Sequence, residues 1–276
     1  MRKKVLYFSI FIAICIIIGI AYSFYRYYAP PKLQQPYQIN ATPDDTLRIA
    51  FIGDSWAFMH KDHECMIPQL LQDTLHRPVK VHSYGVCGLT SKEIYENIFD
   101  NNDFKQFLSK RRYEYCYVSA GINDTYKKMS TSYYQQSMDG IIQFLLANHI
   151  HPIIQEIPDY DINLSFEKQK TSRKILRRLS MIINNTPLDC KQLFRDALDE
   201  LIHERMYSYK VSIIRYKSWN GNGDKDLDNL YRSDKLHLND NGYVTLDRAI
   251  TKEILNQITT EHSTEFQQES DADHHR

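Results

Sequence analysis

The sequence predicts a three-layer α/β/α sandwich, with helices on both faces of a flavodoxin-like parallel sheet of about five strands. Two observations predict it. From Leu47 onward, short β-branched runs alternate with amphipathic helical stretches. The runs are apolar on both faces, as strands covered by helices on each side must be. Right-handed crossovers then place the helices in two layers.

The elements follow in order. The first strand is Arg48–Ile52, stopped by Gly53, and a helix over Ile67–Leu75 leads to a second strand, Val79–Ser83. A helix over Ser91–Phe99 precedes the third strand, Tyr115–Ala120, and a helix over Tyr133–Asn148 precedes the fourth, Pro152–Gln155. Two helical stretches, Glu167–Asn184 and Cys190–Tyr207, separate that strand from Val211–Arg215, and a final helix covers Gly242–Thr259. Tyr113, Tyr115 and Tyr117 alternate and so should share one core-facing side. Basic residues in the helix over Glu167–Asn184 (Lys168, Lys170, Arg173, Lys174, Arg177, Arg178) read as a solvated helix face, with a groove for an acidic polymer as the alternative.

The first residues differ from the rest. Arg2-Lys3-Lys4 precedes an uncharged apolar stretch, residues 5–25, closed by Arg26. At 1.5 Å per residue, such a helix covers the roughly 30 Å hydrocarbon core of a bilayer. Basic residues before the span favour a cytoplasmic N-terminus, residues 1–4, with the body of the chain outside. The alternative is a cleaved signal peptide, since Gly19-Ile20-Ala21 has the small-x-small form, and the protein would then be secreted. Residues 26–46 hold four prolines and read as a linker. Residues 47–259 form the domain, and residues 260–276, polar and aperiodic, read as a disordered tail.

Lys plus Arg equals Asp plus Glu, 34 each, so no global charge draws in nucleic acid. No recognition-helix or zinc-finger spacing appears either. His60-Lys61-Asp62-His63-Glu64 carries ligand types at helical spacing, but no second pair of ligands stands at a recognisable distance, so the expected metal and cofactor content is none.

Ligands of a parallel sheet sit beyond the carboxyl ends of its strands. The residues there are Gly53-Asp54-Ser55, Tyr84-Gly85-Val86-Cys87-Gly88-Leu89-Thr90, Gly121-Ile122-Asn123-Asp124 and, after the fifth strand and a long loop, Asp234-Lys235-Leu236-His237. A serine, a glycine backbone, an amide and an Asp-x-x-His are the parts that acyl transfer needs. In these four blocks, in this order, the chain resembles the SGNH (GDSL-type) hydrolases over about Leu47 to Leu255. Trp56 departs from the leucine of the name-giving motif.

The resemblance implies Ser55 as nucleophile, His237 as base and Asp234 as the group orienting it. It implies an oxyanion hole made by the main-chain N–H groups of Ser55 and Gly88 and the side-chain amide of Asn123. Asp54 and Asp124 read as residues that hold loop backbone. Trp56 and Trp219, the latter in the "WNGNGD" loop, are the candidate substrate contacts, since an indole can stack on a sugar face.

The implied activity is a membrane-tethered serine esterase removing acyl groups, O-acetyl foremost, from envelope or extracellular glycans. Its partners would be an acylated small molecule or glycan and the membrane, with no nucleic acid. An O-acyltransferase using the same site, a lipid or lysophospholipid esterase, and an inactive glycan-binding protein are the alternatives. Outside the apolar span stand Cys65, Cys87, Cys116 and Cys190. The loops carrying Cys65 and Cys87 follow neighbouring strands, so an oxidising compartment predicts a disulfide between them.

Overall fold

The computed structural model describes residues 2–273. A long helix, α1 (Arg2–Tyr28), precedes β1 (Leu47–Gly53), α2 (Ser55–His60), α3 (Ile67–Leu75) and β2 (Val79–Gly85). Then come α4 (Ser91–Asp100), α5 (Asn102–Ser109), β3 (Tyr115–Ser119), α6 (Ile122–Lys127), α7 (Thr131–Ala147) and β4 (His151–Gln155). The chain closes with α8 (Ile162–Glu167), α9 (Thr171–Ile183), α10 (Lys191–Glu204), β5 (Ser212–Ile214), α11 (Asp224–Asn229) and α12 (Asp240–Asp273).

The five strands are all parallel, in the order β2-β1-β3-β4-β5. The pleat sends alternate residues to opposite faces. On β1, Ala50 and Ile52 enter the core beneath α4, α5, α7 and α10, while Leu47, Ile49 and Phe51 enter the core beneath α3 and α12. Tyr115 and Tyr117 follow the second set, but Tyr113 lies before the strand begins and packs in the first core, so the three tyrosines do not share a side.

Three further expectations change. The helix read over Glu167–Asn184 is α9, which begins four residues later, at Thr171, because Glu167 closes the short α8 before it. Residues 30–46 are not a free spacer. Pro31 is buried, Tyr37 and Ile39 pack on the first core, and the Ile39 amide donates to Asn148 Oδ1 at 2.7 Å. Two apolar side chains and one side-chain acceptor suffice to strap an irregular segment down, and periodicity does not detect that. The region read as a tail continues α12 to Asp273, because no proline or glycine follows Gly242 to stop it; residues 274–276 lie outside the described residues. The short α2, α5, α6, α8 and α11, each eight residues or fewer, carry too little periodicity to be seen in the sequence.

Candidate active site

The carboxyl edge of the sheet is shaped by glycines. Gly53 has φ +146°, and a Cβ there would meet the Ser119 carbonyl oxygen at 2.0 Å, so only glycine lets β1 turn so close to β3. Asp54 then caps α2, its Oδ1 accepting from the Trp56 amide at 3.0 Å, and Ser55 is the first residue of that helix. After β2, Gly88 adopts φ +82° in open space, and Thr90 forms a capping box with Glu93 at the start of α4. Gly121, at φ +100°, turns β3 into α6 and puts Asn123 in its first turn.

Two buried aspartates tie these turns together. Asp54 also accepts from Ser119 Oγ at 2.9 Å and from Asn123 Nδ2 at 3.2 Å. Asp124 accepts from the Ser91 amide at 2.8 Å and from Ser91 Oγ at 2.6 Å, joining the loop after β3 to the helix after the Gly88 loop. Burial pushes both carboxyls up to about 6, against the hydrogen bonds that favour their charged forms.

The last block forms a tight loop between α11 and α12. Asp234 Oδ1 accepts from the amides of Leu236 (3.0 Å) and His237 (2.9 Å), while Oδ2 lies 2.7 Å from His237 Nδ1. Partial burial pushes the Asp234 carboxyl up, but these donors outweigh it and hold the group below the usual carboxylate range. With Nδ1–H donated to Asp234, the His237 Nε2 lone pair faces Ser55 Oγ at 3.1 Å. The structure therefore brings Ser55, His237 and Asp234 into one hydrogen-bonded chain, with Gly88 and Asn123 lining a cavity of about 460 Å³ beside it.

Both candidate substrate tryptophans are core residues. Trp56 is 1% and Trp219 6% exposed, and their rings meet edge to face at 5.9 Å. An indole is large enough that the packing under the site claims it before a ligand can. Trp56 instead connects parts of the site, its Nε1–H donating to the Leu236 carbonyl and its own carbonyl accepting from Tyr243 Oη.

The cavity walls were not foreseen. Phe24, Tyr27 and Tyr28 come from the end of α1, Tyr126 and Lys127 from α6, and Leu176 and Arg177 from α9. Arg177 does not belong to a solvated face: it is buried, with its guanidinium over the rings of Tyr126 and Phe166. No sequence signal could have found the α1 contribution, which depends on how that helix docks.

The Cys65–Cys87 bridge is absent; both are free thiols. Although their loops share an edge, the Cys65 thiol lies with His60 and Asp247, the three donor atoms within 4.8 Å of one another, while Cys87 is exposed. That trio is the set of described residues able to offer a metal ligands, but both Asp247 oxygens already accept, from His60 Nε2 at 2.7 Å and the Met66 amide at 2.8 Å. His63 stacks on Tyr243 instead of joining it.

A parallel sheet in this order, with a serine just past its first strand and an Asp-x-x-His loop before its last helix, defines an SGNH hydrolase. Residues 51–244 match the GDSL-like lipase/acylhydrolase family, so the chain belongs to that family and is a serine ester hydrolase. A comparison with curated proteins finds no match. Among solved structures, a GDSL-like lipase from Bacteroides thetaiotaomicron is 15% identical, with a TM-score of 0.50 over 76% of this chain and 88% of that one. A lipase/acylhydrolase from Enterococcus faecalis is 14% identical, with a TM-score of 0.50 over 75% and 95%. An acetyl xylan esterase is 15% identical, with a TM-score of 0.51 over 74% and 98%.

Proposed function

We propose that this hydrolase is a membrane-tethered esterase, its catalytic domain outside the cytoplasm, that removes O-acyl groups, O-acetyl foremost, from envelope or extracellular glycans. The observation that carries the chemistry is the Ser55–His237–Asp234 chain, with contacts of 3.1 and 2.7 Å. His237 Nε2 takes the Ser55 proton as Oγ attacks the ester carbonyl, and Asp234 steadies the imidazolium that forms.

The oxyanion is held by the Ser55 and Gly88 main-chain N–H groups and by Asn123. Loss of one such donor costs about 3 kcal/mol of barrier. His237 then gives its proton to the departing sugar hydroxyl, and water, deprotonated by the same ring, hydrolyses the acyl-enzyme.

The tether rests on α1, whose segment Ile10–Tyr28 is long and apolar enough to cross a bilayer, with only its last turns against the domain. The choice of acetyl follows the acetyl xylan esterase among structures of similar fold. A second reading, an ester of a lipid or lipid-linked glycan, is favoured by the aromatic wall that α1 gives the cavity.

The test has two parts. A fluorophosphonate probe should label wild type and spare Ser55→Ala, and acetate should be released from acetylated glycans faster than longer acids from matched esters. Labelling of Ser55→Ala equal to wild type would end the reading. For topology, a reporter fluorescent only in the cytoplasm, fused after Arg276, should stay dark.

A further inference from the structure

Helix α9 is amphipathic in the wrong sense for a helix facing water. Its side toward the domain buries Arg177 and Ser180, both polar. Its outer side carries Ile175, Leu176, Leu179, Ile182 and Ile183, between 45% and 77% exposed. Their spacing, i, i+1, i+4, i+7 and i+8, makes one continuous stripe. Surface helices of a water-soluble domain show the opposite pattern, and an exposed apolar stripe of this size marks a surface meant to be covered.

The occupant is indicated by what lies beside it. The Tyr28 hydroxyl at the end of α1 hydrogen-bonds Ser180 Oγ of α9, and Phe24 and Tyr27 share a cavity with Leu176. That end of α1 is fixed to the domain: Lys92 Nζ donates to the carbonyls of Arg26 and Ala29 at 2.8 and 2.9 Å, and the Gln34 amide donates to Tyr95 Oη. Phe24, Tyr25, Tyr27 and Tyr28 are the aromatic residues expected where a spanning helix leaves the hydrocarbon. The α9 stripe lies beside this aromatic end of α1. Arg173 and Arg178, exposed on the same helix, suit anionic lipid.

We infer that α9 is an interfacial docking helix, its Ile/Leu stripe sunk into the membrane leaflet that α1 leaves. The inference rests on α1 being a membrane anchor. It follows that the cavity lined by Gly88 and Asn123, which α1 and α9 also wall, opens at the lipid surface, so esters presented from that surface reach it without crossing bulk water.

The test uses the full chain in nanodiscs of phosphatidylcholine and phosphatidylglycerol, compared with the same lipids brominated on their acyl chains. The two native tryptophans are buried, so an added one dominates contact quenching. Three variants are compared: Ile182→Trp on the stripe; Tyr209→Trp, 93% exposed, just before β5 at the amino edge of the sheet; and Ile17→Trp within α1. Brominated lipid should remove about half of the emission added by Ile182→Trp and by Ile17→Trp, and little of that added by Tyr209→Trp. Quenching at Ile17→Trp but not at Ile182→Trp would overturn the docking helix while leaving the anchor standing. No quenching at either would overturn both.

Discussion

The indole N–H of Trp56 donates to the carbonyl of Leu236 at 3.2 Å, binding the helix that carries Ser55 to the loop that carries His237. The two residues are 180 positions apart, and the Ser55–His237 contact beside them is 3.1 Å. Trp56→Phe keeps most of the buried area and removes this donor. We expect kcat on a short aryl ester to fall about tenfold with KM nearly constant, about 1.4 kcal/mol of misplacement. A raised KM at constant kcat would return Trp56 to substrate binding.

Ser55→Ala and His237→Ala should each reduce turnover of the same ester by about a thousandfold or more, with an unchanged circular dichroism spectrum. The double variant should be little worse than either, because in the proposed mechanism nucleophile and base act as a unit. Asp234→Asn should retain more activity than Ser55→Ala, since it disturbs the orientation of the base and keeps the nucleophile. Additive losses in the double variant would contradict the hydrogen-bonded chain.

Asp54 gives a stability prediction with a definite sign. Its carboxyl is raised from 3.8 to about 6 by burial, so between those values the folded chain holds a proton that the unfolded chain has lost. Stability from this group is therefore highest below pH 3.8 and falls as pH rises through 6, by roughly 3 kcal/mol. In Asp54→Asn that slope is gone. Relative to wild type, the variant should gain stability between pH 4 and pH 6, read by chemical denaturation at each pH. A constant difference across the window would show that Asp54 titrates normally.

The free thiols should respond as their burial dictates. Outside α1, which carries the exposed Cys15, a maleimide should modify exposed Cys87 of the native protein first, Cys65 slowly, and Cys116 and Cys190 only on unfolding. Reducing agent should leave Tm unchanged, whereas a Cys65–Cys87 bridge would lower it on reduction.

How much was legible can be read from particular residues. The strands announced themselves because a parallel sheet buries both faces, so β1 and β3 are apolar whichever way each residue points. Ser55, Gly88, Asn123, Asp234 and His237 stood out because each directly follows a strand or precedes the last helix, where topology alone brings them to one edge. Their contacts are also local: Asp234 and His237 are three residues apart, and Asp54 caps the helix that Ser55 begins.

What the sequence by itself determined was this edge, the order of the sheet and the apolar character of α1. Tertiary structure alone decided what each large side chain would touch. Trp56 and Trp219 were drawn into the core because the space under the site was theirs to fill. Cys65 turned to Asp247 and away from Cys87, since loops on one edge can still direct their side chains apart. Arg177 went inward while its apolar neighbours went outward, because the docked end of α1, about 150 residues earlier in the chain, sets what α9 faces. Periodicity records which residues share a side of a helix; only packing decides whether that side meets protein, water or lipid.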